Sequence, residues 1–175
     1  MRKLYTLAYP TLNAADSQFI ERFRVANDLH HGRVAAHFTL VFGCGAVDEL
    51  QYTEHVQAVA KKLRAVSFVF RYAMLGADDQ DSTAYVFLVP DEGYSGLSLL
   101  HDRLYQGVLE PYLRLDLPYV PHITIGTVPE RRRAKVLCDQ LNEQGIQVGG
   151  RVESLSVCAL EGGKVRTIES FPLQT

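Results

Sequence analysis

Two tetrads constrain this chain more than any other feature of it: His37-Phe38-Thr39-Leu40 and His122-Ile123-Thr124-Ile125. Each alternates a polar with an apolar residue, and along a β-strand side chains two apart share a face. His37 and Thr39 therefore point one way, while Phe38 and Leu40 enter a packed layer on the other. His122 and Thr124 are separated from Ile123 and Ile125 in the same manner. A single His-x-Thr on a strand most often marks a hydrogen-bonded core histidine. Two copies on corresponding strands of a repeated layout are a different matter in a chain of 175 residues with six histidines.

The layout follows from periodicity and punctuation. Leu4 to Tyr9 alternates as a strand and stops at Pro10. A helix is expected from Ala14 to Leu29, with Asn13 as its N-cap and Phe19, Ile20, Phe23 and Val25-Ala26 as its stripe. The first motif strand spans Ala36 to Phe42, and Asp48 opens a second helix running to about Ala65, with Leu50, Val56, Val59, Ala60 and Leu63 inward. Strands from Ser67 to Met74 and from Ala84 to Val89 flank the polar run Ala77 to Ser82, which reads as a hairpin loop. The order then repeats: a helix from Tyr94 to Leu113, the second motif strand from Val120 to Thr127, and a helix from Glu130 to Gln144 stopped by Gly145. A closing hairpin, Arg151 to Leu160 and Lys164 to Phe171, turns at Glu161-Gly162-Gly163.

Tyr5-Thr6-Leu7-Ala8-Tyr9-Pro10 is echoed by Tyr85-Val86-Phe87-Leu88-Val89-Pro90, much as His37 is echoed by His122. The expectation is one bilobal α+β domain over residues 1–175. It would arise by internal duplication, roughly 1–82 and 83–175, as two pseudo-symmetric lobes. Each lobe would be an antiparallel sheet with helices outside, around a central cleft that carries both motifs.

Composition narrows the classes. Hydrophobic residues are 47% and charged residues 22%, enough for a sizeable core without disulfides or a metal. The formal net charge of −2 argues against a protein that coats duplex nucleic acid, which usually carries a basic surplus. Three scattered cysteines, Cys44, Cys138 and Cys158, suit neither a disulfide framework nor a clustered metal site. No leader peptide and no apolar run near 18 residues are apparent, so a cytoplasmic protein with no membrane partner is expected.

Two imidazoles and two hydroxyls around one cleft match the needs of phosphodiester cleavage. One histidine takes a proton from the attacking water or hydroxyl and the other gives one to the leaving oxygen. An unperturbed pKa near 6.5 suits histidine to both tasks. The threonine hydroxyls can donate to the non-bridging phosphate oxygens and counter charge that develops there. No cofactor and no metal are called for.

On these residues, His37-Phe38-Thr39-Leu40-Val41-Phe42-Gly43 and Pro121-His122-Ile123-Thr124-Ile125-Gly126, the chain resembles the 2H phosphoesterase superfamily. That superfamily contains the 2′-5′ RNA ligase-like proteins and cyclic nucleotide phosphodiesterases. The resemblance implies a two-lobed α+β fold in which both histidines and both threonines are catalytic or phosphate-binding. It implies chemistry on 2′,3′-cyclic phosphates or 2′-5′ linkages, with the 2′-phosphate the common product of cyclic-phosphate hydrolysis. Many RNA ligase-like members carry a basic residue just after the second tetrad. This chain has Gly126-Thr127-Val128, with Arg131-Arg132-Arg133 following, a shift that points to a small or short substrate.

Beyond the tetrads, Tyr119 and Arg131 are candidate substrate-binding residues, Tyr119 as a stacking or phosphate-bonding ring and Arg131 as a cation at the cleft mouth. Arg33 is a similar basic candidate, and Tyr5, Tyr9, Tyr85 and Phe42 are candidates for the lining. Core packing and solvated helix faces compete with each of these roles. His30-His31 does not suggest a metal site, because adjacent histidines diverge and no carboxylate or cysteine falls at ligand spacing.

The expected protein is a monomeric, metal-independent phosphodiesterase acting on a nucleotide or short RNA. For cyclic-phosphate hydrolysis the reading leans to His122 on the water and His37 on the leaving oxygen, although the near symmetry of the motifs does not assign these roles. The rival readings are a 2′-5′ RNA ligase or RNA-end-processing enzyme, and a nucleotide-binding module without turnover.

Overall fold

The structure, a computed structural model, describes residues 2–77 and 83–175. Strand β1 (Leu4–Ala8) leads through the short β2 (Thr11–Leu12) into helix α1 (Ala14–Asn27). Asn13 caps α1, its side chain accepting from the amide of Asp16 at 2.8 Å. Strand β3 (Phe38–Cys44) carries the first tetrad, and His37 immediately precedes it. Helix α2 (Glu49–Ala60) starts at Asp48, whose carboxylate accepts from the amide of Leu50 at 2.9 Å. The antiparallel pair β4 (Val66–Ala77) and β5 (Ala84–Glu92) follows. Residues 78–82 of the expected hairpin loop lie outside the described residues.

Helix α3 (Tyr94–Leu104) is shorter than the sequence suggests. Gly107 takes φ +56° and Pro111 offers no N–H, so the chain continues as a 3-10 turn, Gly107–Tyr112. Strand β6 (Ile123–Val128) carries the second tetrad and helix α4 (Arg131–Gln144) follows it, ending where Gly145 adopts φ +74°. The last expected hairpin begins with two strands rather than one: β7 (Val148–Val152) and β8 (Ser154–Glu161), followed by β9 (Lys164–Pro172). The break at Glu153 has a topological reason. Strand β7 pairs with β4 in one half of the sheet, and β8 crosses to pair with β1 in the other.

Among the described residues, nine strands join one curled antiparallel sheet in the order β2-β7-β4-β5-β6-β3-β1-β8-β9. The lobes expected to carry separate sheets are thus hydrogen-bonded into one. The motif strands lie side by side at its centre, paired through Phe38 and Ile123. Each has its echoing strand as outer neighbour: β1 beside β3, and β5 beside β6. Phe38, Leu40, Ile123 and Ile125 are all fully buried, as the alternation requires. Phe38 meets Phe68 and Phe70 of β4 at ring distances of 5.1 and 5.8 Å, which anchors the motif strand to the core. Helices α1 and α4 pack against β6, α3 against β3, and α2 against β8 and β9. Leu50, Val25 and Val136 face outward despite their apolar character, and Tyr52 takes the buried place on α2.

Candidate active site

Antiparallel pairing of Phe38 with Ile123 fixes the register at the centre of the sheet. Carried one step each way, it sets His37 across from Thr124 and Thr39 across from His122, all four on the face away from the core. These side chains line one cleft of about 650 Å³. Strand β1 contributes Tyr5 and Leu7 to its wall, and β5 contributes Tyr85 and Phe87 at the echoing positions.

Both imidazoles are held in the same way. Nδ1 of His37 lies 2.8 Å from the carbonyl oxygen of Ala35, and Nδ1 of His122 lies 2.6 Å from that of Val120. A carbonyl only accepts, so in each ring Nδ1 carries the proton and donates it. The neutral form then keeps its lone pair on Nε2, the atom available for proton exchange.

The surroundings of the two rings differ. Burial lowers the pKa of His37 below the ordinary histidine value; the Ala35 carbonyl and Asp28 oppose this, while the Arg24 guanidinium and His122 reinforce it. Arg24 is itself buried, bonded to Asp28 at 3.1 Å, Glu21 at 3.2 Å and the carbonyl of Val34 at 2.7 Å. Burial also lowers the pKa of His122, against the bond to Val120. The ring of Phe87 stacks on His122 with centroids 3.8 Å apart, and Tyr85 stacks on Phe87 at 5.7 Å. A π face beside an imidazole favours its cationic form. Phe87 fits there because Gly76 on the neighbouring β4 has no side chain: a Cβ at Gly76 would come within 2.3 Å of the Phe87 ring.

The structure brings together His37, Thr39, His122 and Thr124, with Tyr5, Tyr85 and Phe42 from the wider set of candidates. Tyr119 is not among the cleft residues. Its ring lies flat on His101 of α3 at 3.7 Å, and its hydroxyl donates to the carbonyl of Thr39 at 3.2 Å. Nδ1 of His101 donates to the carbonyl of Leu40 at 2.8 Å, and the amide of Phe42 donates to the Tyr105 hydroxyl at 3.1 Å. Three side chains thus hold backbone groups of β3 where it runs past its single pair with β6. Arg131 sits exposed at the start of α4, away from the cleft lining. Tyr9 meets His37 edge-on at 6.0 Å, and its hydroxyl lies against Cys158. The adjacent histidines diverge: His30 lines the cleft, and His31 faces Glu21 at 3.3 Å. Phe87 and Leu7, named in the sequence only as members of the echoing strands, and His30, weighed there only for a metal site, are also cleft residues.

Among the described residues no group of three or more His, Cys, Asp or Glu side chains gathers as a metal site, and no helix is long and apolar enough to cross a membrane.

A family model of the 2′-5′ RNA ligase superfamily matches residues 11–164. Among solved structures, the chain is similar to one described as a phosphoesterase, with 19% identity, full coverage of both chains and a TM-score of 0.59. It is similar to E. coli LigT complexed with NADP+ at 20% identity, 99% coverage of each chain and a TM-score of 0.59. Kluyveromyces marxianus Usb1 with uridine monophosphate matches at 12% identity, 98% coverage of each chain and a TM-score of 0.59. At these identities the likeness shows a shared fold. No curated protein sequence matches the chain significantly.

Proposed function

This chain belongs to the 2′-5′ RNA ligase superfamily of 2H phosphoesterases, and on that premise we propose that it is a metal-independent phosphodiesterase cleaving a cyclic phosphate or a 2′-5′ linkage of a nucleotide or short RNA. One observation carries the reading: two imidazoles, each with Nδ1 fixed on a backbone carbonyl, share a cleft with two threonine hydroxyls. The complexes of LigT with NADP+ and of Usb1 with uridine monophosphate support a nucleotide ligand.

In cyclic-phosphate hydrolysis, Nε2 of the base histidine accepts a proton from water as the water oxygen bonds to phosphorus. The bond from phosphorus to one ribose oxygen breaks, and that oxygen takes the proton from Nε2 of the acid histidine. Thr39 and Thr124 donate to the non-bridging oxygens. We assign the base to His37 and the acid to His122, the reverse of the roles read from the sequence. Arg24 disfavours a charged His37, and the Phe87 face favours a charged His122.

The test is incubation with 2′,3′-cyclic nucleotides and a 2′-5′-linked dinucleotide in EDTA, with products resolved by chromatography. Turnover is expected, and dependence on an added metal would overturn the mechanism. The pH dependence of kcat/KM is expected to be a bell. Its acid limb reports protonation of the base and its alkaline limb deprotonation of the acid. Burial lowers both groups, so the maximum should lie on the acid side of 6.5, the ordinary histidine value. A rate that climbs steadily from pH 5 to 9 would count against two histidines.

A second prediction concerns Phe87. Gly76→Ala should displace its ring from His122 and lower kcat by about tenfold, part of the roughly hundredfold that a 1 Å misplacement can cost. Adding Phe87→Leu in the same protein should relieve the clash without recovering the rate, because leucine offers no ring to stack on His122. An unchanged kcat in Gly76→Ala would show that the stack does not orient His122.

A further inference from the structure

The cleft lining includes no lysine or arginine among the described residues; its only cationic candidates are histidines. A second cavity of about 370 Å³ adjoins it and shares Val34 and Val165 with it. Arg33 and Lys164 line this neighbouring cavity. The amide of Val165 donates to the carbonyl of Arg33 at 2.9 Å, so a backbone bond brings the two cations together from distant parts of the chain. Neither is in an ion pair among the described residues. The carboxylate lining the cavity, Glu21, already faces Arg24 at 3.2 Å and His31 at 3.3 Å. Arg24 is buried and divided between Glu21 and Asp28. Three permanent cations, Arg24, Arg33 and Lys164, thus stand against two carboxylates, Glu21 and Asp28, and the surplus lies at the exposed rim.

We propose that Arg33 and Lys164 form a second phosphate site beside the cleft, which takes the phosphate one nucleoside away from the bond that is cleaved. The inference rests on the phosphodiesterase reading and narrows it. The motif residues can hold one phosphate; a second on the same substrate meets the rim pair. That phosphate is either the next one along an oligonucleotide or the 5′-phosphate of a single nucleotide, and the preferred substrate carries at least two phosphates.

The experiment compares four substrates ending in a 2′,3′-cyclic phosphate: a nucleoside, the same nucleoside with a 5′-phosphate, a dinucleotide and a trinucleotide. For the wild type, kcat/KM should rise about tenfold when the second phosphate is added, through KM rather than kcat. A gain from the 5′-phosphate alone identifies a single-nucleotide ligand, and a gain only in the dinucleotide identifies a chain. Arg33→Ala with Lys164→Ala should abolish the gain while leaving turnover of the plain nucleoside cyclic phosphate unchanged. The salt dependence of log(kcat/KM) for the dinucleotide should flatten by about 0.7, the slope for one single-strand phosphate contact. Equal kcat/KM for all four substrates, or an equal loss in the double variant on all four, overturns the site. Binding of oligonucleotides ending in a plain 3′-phosphate, read by fluorescence anisotropy, tests the rim without turnover. Absent turnover with binding that needs both the second phosphate and the two cations would sink the phosphodiesterase reading and leave the phosphate site standing.

Discussion

Replacing either motif histidine by alanine is expected to lower kcat by about 10²–10⁴-fold, the range general acid–base catalysis supplies. The double variant should be little worse than the worse single one, because in the proposed mechanism the two imidazoles serve one transition state and their contributions are not additive. Both rings are half-buried at the foot of the cleft and contribute one side-chain bond each to a backbone carbonyl, so the fold and its thermal midpoint should survive. A leaving group that needs no proton separates the roles. On a p-nitrophenyl phosphodiester, the variant lacking the acid should regain most of its rate, while the variant lacking the base should not. With His122 as the acid, His122→Ala is the rescued protein. Rescue of His37→Ala instead would restore the assignment read from the sequence. Full activity of either variant on the cyclic nucleotide would remove the two-histidine mechanism altogether.

What the sequence made legible is what a strict period of two encodes. The burial of Phe38, Leu40, Ile123 and Ile125 and the opposite facing of His37, Thr39, His122 and Thr124 follow from alternation alone. The echo between Tyr5-Thr6-Leu7 and Tyr85-Val86-Phe87 likewise located the strands that flank the motifs. Phe87 and Leu7 escaped notice because an apolar residue on a strand reads as core, and only the register shows that their face opens onto the cleft. Tyr119 misled for the opposite reason. It is close to His122 in the chain, but between Pro118 and Pro121 its ring turns to α3, a contact that no local pattern reveals. Arg131 follows from helix geometry. Ala134, Cys138 and Leu141 seat α4 on the sheet, which leaves its first turn exposed. Helix ends at Asn13, Asp48 and Gly145 were readable from capping chemistry, whereas the early end of α3 required weighing Gly107 and Pro111 against an apolar stripe that continued past them.

Thr39→Val and Thr124→Val are each expected to lower kcat by about a hundredfold, the lower end of what one lost donor to a developing oxyanion costs. Valine keeps the branched shape that a strand prefers, so the change removes the hydroxyl with little effect on packing. Each threonine lies two residues along the strand from its own histidine and across from that of the other strand, which leaves the two threonines on opposite corners of the site, so in the proposed mechanism both hydroxyls reach the same phosphate from different sides. If they bind the phosphate equally in the ground and transition states, the loss appears in KM with kcat intact. If they meet charge that builds up only as the water attacks, kcat and kcat/KM fall together. The second pattern is expected, because a cyclic phosphate carries one negative charge and the pentacoordinate transition state concentrates more on the same oxygens. Serine separates the hydroxyl from the methyl: Thr39→Ser and Thr124→Ser should recover most of the rate. Full activity of the valine variants, with the serine variants impaired, would mean that the threonines shape the strand and leave the phosphate to the histidines.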